Sequence, residues 1–152
     1  MSVGDYRISS IREIRQRLLS RIDNADEAAL DWSPGNPIWS SRQILHHLAV
    51  SEEHFIGEIA RVAGTTAVRQ SSSLATVSTL EELVRGLREI RSNTEALLTS
   101  FDESFWRQRL VMSSHPLLVG RTVAEAVDFM AWHEARHVVQ IGDLLIRWGS
   151  SH

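Results

Sequence analysis

The run from Val123 to Trp148 constrains this chain more than any other stretch. Val123, Val127, Met130, Ile141, Leu144 and Trp148 fall on one arc of a helical wheel, so the run reads as one long amphipathic helix. His133 and His137 stand four apart on it, one turn above the other. His137 lies within the apolar arc and His133 at its margin. Imidazoles turned toward a core need partners. They are either a buried, hydrogen-bonded pair or ligands to a metal ion.

The same periodicity parses the rest of the chain. From Tyr6 to Asp31, Ile11, Ile14, Leu18, Ile22 and Ala25 form a core stripe. Arg12, Glu13, Arg15, Gln16, Arg17 and Asp23 lie between them and read as the solvated face. Pro34, Gly35 and Pro37 end this helix. A capping box, Ser40 to Gln43, opens a second helix whose stripe is Ile44, Leu48, Phe55, Ile59 and Val62, with Gly64 as its stop. His47 borders that stripe in line with Ser51, His54 and Glu58, while His46 points toward solvent. The polar stretch from Thr65 to Thr79 is a connection. A third helix opens at Ser78 or Thr79, carries Leu80, Leu83, Leu87, Ile90, Thr94 and Leu97 inward, and ends near Ser100. Phe101 to Trp106 adds a short helical turn. Arg107 to Arg121 is irregular, with Leu110, Val111 and Met112 as a short extended piece. Thr122 and Glu125 form a second capping box at the start of the last helix, which Gly149 and the polar tail end. Four helices and no convincing strand predict an all-α four-helix bundle, a single domain over 1–152. The connections are long, so up-down-up-down order is not forced.

Composition excludes several chemistries. There is no cysteine, hence no disulfide, no thiolate ligand and no cysteine nucleophile. All 16 basic residues are arginine, which excludes a lysine Schiff base. They are spread among 19 acidic residues for a net charge of −3, so no nucleic-acid footprint is present. No apolar run approaches the roughly 20 residues of a membrane span, and no secretory signal is visible. A cytoplasmic location is the default expectation.

For metal binding, the third ligand must come from another helix. His47 is the best placed, and His54, two turns along, is the substitute. Three neutral imidazoles leave a divalent ion its full charge, and an open fourth position would hold water, with its pKa lowered toward ~7, or a thiolate. His133-Glu134-x-x-His137 also spells the zinc-peptidase pattern, with Glu134 as general base. That reading ranks lower: Gln140 stands where the longer form has a helix-breaking glycine, and Asp143, at the offset of the third ligand, points outward on a helix that continues. Glu134 is the candidate catalytic carboxylate, as base or as a residue orienting a ligand. A rim carboxylate paired with an arginine accounts for it equally.

Three stretches carry a resemblance: Trp39 to Ala49 with Glu52 or Glu53, His115 to Thr122, and Trp132 to Ile141. Together they resemble the DinB-like (YfiT-like) metal-dependent four-helix bundles across nearly the whole chain. The resemblance implies a three-histidine site for zinc, nickel or a similar divalent ion, mapping to His47, His133 and His137. Members include S-transferases that use bacillithiol or mycothiol, a mycothiol-dependent maleylpyruvate isomerase and proteins assigned as hydrolases, and many are dimers. It therefore implies a metal-dependent transferase or hydrolase acting on a small-molecule substrate, as a homodimer. A low-molecular-weight thiol as cosubstrate would supply the nucleophile this chain lacks. The alternative is a non-catalytic dimeric bundle in which the histidines are structural or the site vestigial. In it the tryptophans near helix ends (Trp32, Trp39, Trp106, Trp132, Trp148) serve packing or a subunit interface.

Overall fold

Side-chain caps set where the long helices begin, as the computed structural model shows for residues 2–65, 79–111, 113 and 115–152. Ser2 opens α1 (Val3–Ile22) through a capping box with Asp5. Asp26 caps a short α2 (Glu27–Asp31), and Ser40 opens α3 (Ser41–Val62) with Gln43 closing the box. Thr79 caps α4 (Leu80–Thr99) by accepting from the Glu82 amide. Asp102 caps α5 (Glu103–Trp106), and the Thr122–Glu125 box opens α6 (Val123–Ser151). Each cap satisfies amides that the first helical turn leaves without partners.

Three expectations need correction. The first helix does not run to Asp31: it ends at Ile22, and Asp26, whose side chain accepts from the Ala28 amide, starts a new one. Gly149 lies within α6, which ends in the polar tail, at Ser151. As expected, no strand forms among the described residues. Arg109 and Thr122 make one isolated antiparallel bridge, and Met112 of the expected extended piece lies outside the described residues. Nor is Arg15 solvated: it is 4 % exposed. Of the connection expected over 65–79, residues 66–78 lie outside the described residues, including Ser78, the alternative cap.

Cross-helix hydrogen bonds fix the directions. Arg7 reaches Ala124 and Asp128, and Arg15 reaches Glu134, so α1 and α6 run parallel. Arg12 pairs with Glu95 and Arg15 with the Leu87 carbonyl, so α4 is antiparallel to α1. His47 meets His133 and Phe55 meets Phe129, so α3 is antiparallel to α6. The order is therefore up, down, down, up. Both α1 and α3 pack against α4 and α6, which places the first two long helices on a diagonal. The segment between them crosses under the end of α6, where Trp32 meets Trp148 edge-on at 6.4 Å between centroids. Arg42 on α3 holds α2 through Glu27 and Asp31. Among the described residues no helix is long and apolar enough to cross a membrane.

The core has two apolar parts. One gathers Ile11, Phe55, Ile59, Leu98, Trp106, Val123 and Met130, and the other Leu18, Ile22, Leu45, Leu48, Leu87, Val138 and Ile141. Between them lies an ionic layer with a residue from every long helix: Arg15, Glu52, Arg91 and Glu134, all buried. Arg15 donates to Glu134 and Glu52 at 2.6 Å each. Arg91 donates to Glu52 at 2.8 Å and Glu134 at 2.7 Å, and also to the Ile11 carbonyl. Thr94 adds a hydrogen bond to Glu52 at 2.7 Å. Two arginines and two glutamates make the layer neutral, so each buried charge is compensated at contact distance.

Candidate metal centre

Just beside the ionic layer, α3 and α6 run antiparallel and bring three imidazoles to one point. Ring nitrogens of His47, His133 and His137, one from each, all lie within 4.8 Å of one another. His133 and His137 meet because i and i+4 share a helix face. His47 enters from α3 one residue before the buried Leu48, on the margin of its packed stripe. All three are half-buried. His54, the substitute ligand, is not in this group: its ring lies 5.0 Å from that of His115, in the turn before α6. His115 Nδ1 accepts the Leu117 amide at 3.1 Å, so its neutral form carries the proton on Nε2.

The donor set suits a divalent cation. His47 Nε2 and His133 Nε2 are 3.1 Å apart. Two ligands of a tetrahedral ion at the usual zinc–nitrogen length are about 3.3 Å apart. The Nδ1–H of His137 donates to Gln140 Oε1 at 2.8 Å, which fixes the tautomer and leaves the Nε2 lone pair for a ligand. Burial, then the neighbouring His137 and His46, lowers the His47 pKa. Burial, then His137 and His47, pushes His133 down to about 4. Both are therefore neutral at pH 7, as metal ligation requires. A hydrogen-bonded pair would account for the His47–His133 contact, but it leaves the third converging lone pair without a partner.

The surroundings are aromatic. The Trp39 ring lies 5.0 Å from His47, and Phe129 stacks on His133 at 6.2 Å. On the outer side of α6 a cleft of ≈ 600 Å³ opens over His133 and His137, with Trp132, Arg136, Gln140 and Asp143 in its wall. A groove of similar volume between α1 and α6, lined by Glu13, Arg17 and Val138 among others, holds no histidine.

Glu134 faces away from this cleft. It is 2 % exposed, and both its oxygens accept from arginine, Oε1 from Arg15 and Oε2 from Arg91. The arginine pairing weighed from the sequence is present, in the core rather than at the rim. A base needs a free oxygen at the substrate, and the geometry gives Glu134 none. His46 also differs from expectation: its Nε2 is buried with no hydrogen-bond partner. It stands one turn beyond Arg42, the residue that holds α2 against α3.

Sequence reasoning assigned Arg15 to the solvated face and did not identify Glu52 or Arg91 as buried charges. The signal was there: Arg15 continues the Ile8, Ile11, Leu18, Ile22 spacing, and Glu52 continues Leu45, Leu48, Phe55, Ile59. A single charged residue within an apolar stripe marks a buried charge that finds its counter-ion on another helix.

Comparison with known proteins agrees with this architecture. The profile of the DinB superfamily matches residues 10–141. No curated protein matches the chain. Among solved structures, YfiT from Bacillus subtilis, described as a probable metal-dependent hydrolase with an unusual four-helix bundle topology, superposes with a TM-score of 0.71. It is 20 % identical over 96 % of this chain and 87 % of its own. A conserved protein from Enterococcus faecalis superposes at 0.67, with 15 % identity over 96 % of this chain and 98 % of its own.

Proposed function

The chain belongs to the DinB superfamily, and from that premise we propose that it is a divalent-metal-dependent enzyme acting on a small molecule, either a transferase using a thiol cosubstrate or a hydrolase. The observation that carries this reading is the convergence of His47, His133 and His137 with Gln140 holding the outer nitrogen of His137. YfiT, a structural neighbour described as a probable metal-dependent hydrolase, supports it. His47, His133 and His137 would hold a divalent ion, which would supply Lewis acidity and make a water or thiol easier to deprotonate. The protein's own residues bind and orient. Trp39 and Phe129 pack against the ligand rings and keep water from their sides, and Gln140 holds one ring in a single tautomer. The chain has no cysteine, so a thiol nucleophile enters with a ligand. The peptidase reading loses its base, because Glu134 is bound by two arginines.

The test is metal titration of the purified chain with Zn²⁺ and Ni²⁺. Wild type binds one equivalent, and His47→Ala, His133→Ala and His137→Ala each weaken binding at least about a hundredfold. A metal-loaded protein screened with low-molecular-weight thiols and electrophiles, and with ester and amide substrates, then separates transferase from hydrolase. Wild type that takes up neither ion would overturn the assignment.

A further inference from the structure

We propose that the small molecule taken by this site carries an anionic group, a carboxylate or a phosphate, on a flat apolar body, and that Arg136 recognises the anion. The inference rests on the metal-dependent reading above and names its substrate class. Arg136 lines the cleft between His133 and His137, within one helical turn of both. Its guanidinium lies over the Trp132 ring at 5.0 Å. It forms no ion pair among the described residues, whereas the arginines of the core and of the α2 contact are fully engaged. Stacking on an indole limits the rotation of the planar fork and leaves its N–H edge for a ligand, the arrangement suited to bidentate anion binding.

The apolar part of the ligand follows from two indoles left in solvent. Trp132, 53 % exposed, is in the cleft wall, and Trp39, 43 % exposed, stands beside His47 on the α3 side. Large aromatic rings exposed beside a polar cluster offer flat surface to a ligand. Asp143 is the opposing charge in the cleft. It lies seven residues from Arg136, roughly 10 Å along the helix, so an anion is favoured at the Arg136 end and disfavoured at the other. Three neutral imidazoles around a divalent ion leave its positive charge in place, which adds to the field of Arg136.

The experiment uses benzoate, phenyl phosphate and benzamide as probes. Dissociation constants are measured by NMR titration on the full chain, metal-free and Zn²⁺-loaded. Wild type is compared with Arg136→Gln, Arg136→Lys and the surface control Arg85→Gln, and Zn²⁺ affinity is measured separately for each. Wild type binds at least one anion roughly tenfold or more tightly than benzamide. In the metal-free arm, where no ion adds its own charge, Arg136→Gln removes that preference and Arg136→Lys retains part of it. The stronger of the two anions identifies carboxylate or phosphate as the group read. Equal binding of benzamide and the anions, no anion binding at all, or an anion preference that survives Arg136→Gln in the metal-free protein overturns the proposal. The metal-free arm reads Arg136 even if wild type fails to bind Zn²⁺, so failure of the metal reading is seen separately.

Discussion

Gln140 decides which nitrogen of His137 is available, and the effect of removing it is measurable. Its Oε1 accepts from Nδ1 at 2.8 Å, so the ring presents Nε2 to the cluster. Gln140→Ala frees the ring to rotate and to exchange tautomers, and metal affinity falls about ten- to a hundredfold in a chelator competition. Unchanged affinity would remove the orienting role. The ionic layer makes a different kind of residue-scale claim. Burial alone would raise the Glu52 carboxyl, but Arg15 and Arg91 outweigh it and hold the pKa at about 2, below the ordinary 4.5. Below about pH 4.5 the unfolded chain takes up this proton and the folded protein does not, so stability falls with pH until the folded value is passed. The displacement of His133 from 6.5 to about 4 has the same sign and acts at higher pH. Urea midpoints of the metal-free protein should therefore decline from pH 6.5 to 2, and Glu52→Gln should flatten the lower part of that decline. Arg91→Met leaves Glu52 and Glu134 short of a partner in the core. It should cost about 3–5 kcal/mol, the range for breaking one side of a buried ionic network.

Elements differ in how much of them local sequence can express. Every cap of a long helix is a residue within four positions of the amides it serves, so Ser40 with Gln43 and Thr122 with Glu125 were legible at once. The break between α1 and α2 was not, because the apolar spacing through Ile22 and Ala25 carries across it. Its cause is the competing cap at Asp26, together with the hold of Arg42 on Glu27 and Asp31. The spacing of Arg15 places it on the core stripe, but the partners that let a charge lie there, Glu52, Glu134 and the Leu87 carbonyl, come from three other helices. The three histidines were legible because spacing puts two on one face and a stripe places the third. The pairing of Glu134 with arginine was anticipated but not its depth. One contact between elements tests the packing directly. A Cβ on Gly4, in the first turn of α1, would stand 2.6 Å from Trp106 Nε1 on α5, and Trp106 is only 2 % exposed. Alanine is the better helix former by up to about 1 kcal/mol, yet the clash against a fully packed indole is expected to cost about 1–3 kcal/mol. Gly4→Ala should therefore lower the urea midpoint; a rise would show that the indole can withdraw.

At the scale of the molecule, helix order escaped the sequence because the long connections permit several orders, and only cross-helix pairs such as Arg7 with Asp128 and Arg15 with Glu134 select one. That order makes α3 and α6 antiparallel neighbours, so an ion shared by His47, His133 and His137 ties together two segments 86 residues apart in sequence at the His47–His133 contact. Ion binding should therefore appear as stability of the whole fold rather than of one helix. An ion that binds the native state alone at a hundred times its dissociation constant adds about 2.7 kcal/mol. For a chain of 152 residues, each kcal/mol moves the melting temperature by about 2–4 °C. Saturating Zn²⁺ should raise it by roughly 5–10 °C, in calorimetric scans at pH 7 on protein first stripped with chelator. The rise should vanish in His133→Ala and His137→Ala, which leave α6 one ligand each. His47→Ala is the sharper arm. If the ion joins two helices, the rise vanishes there as well, although both α6 ligands remain four residues apart on one helix. A rise that persists in His47→Ala would mean that the helical pair binds without α3, and the stabilisation would then belong to α6 alone.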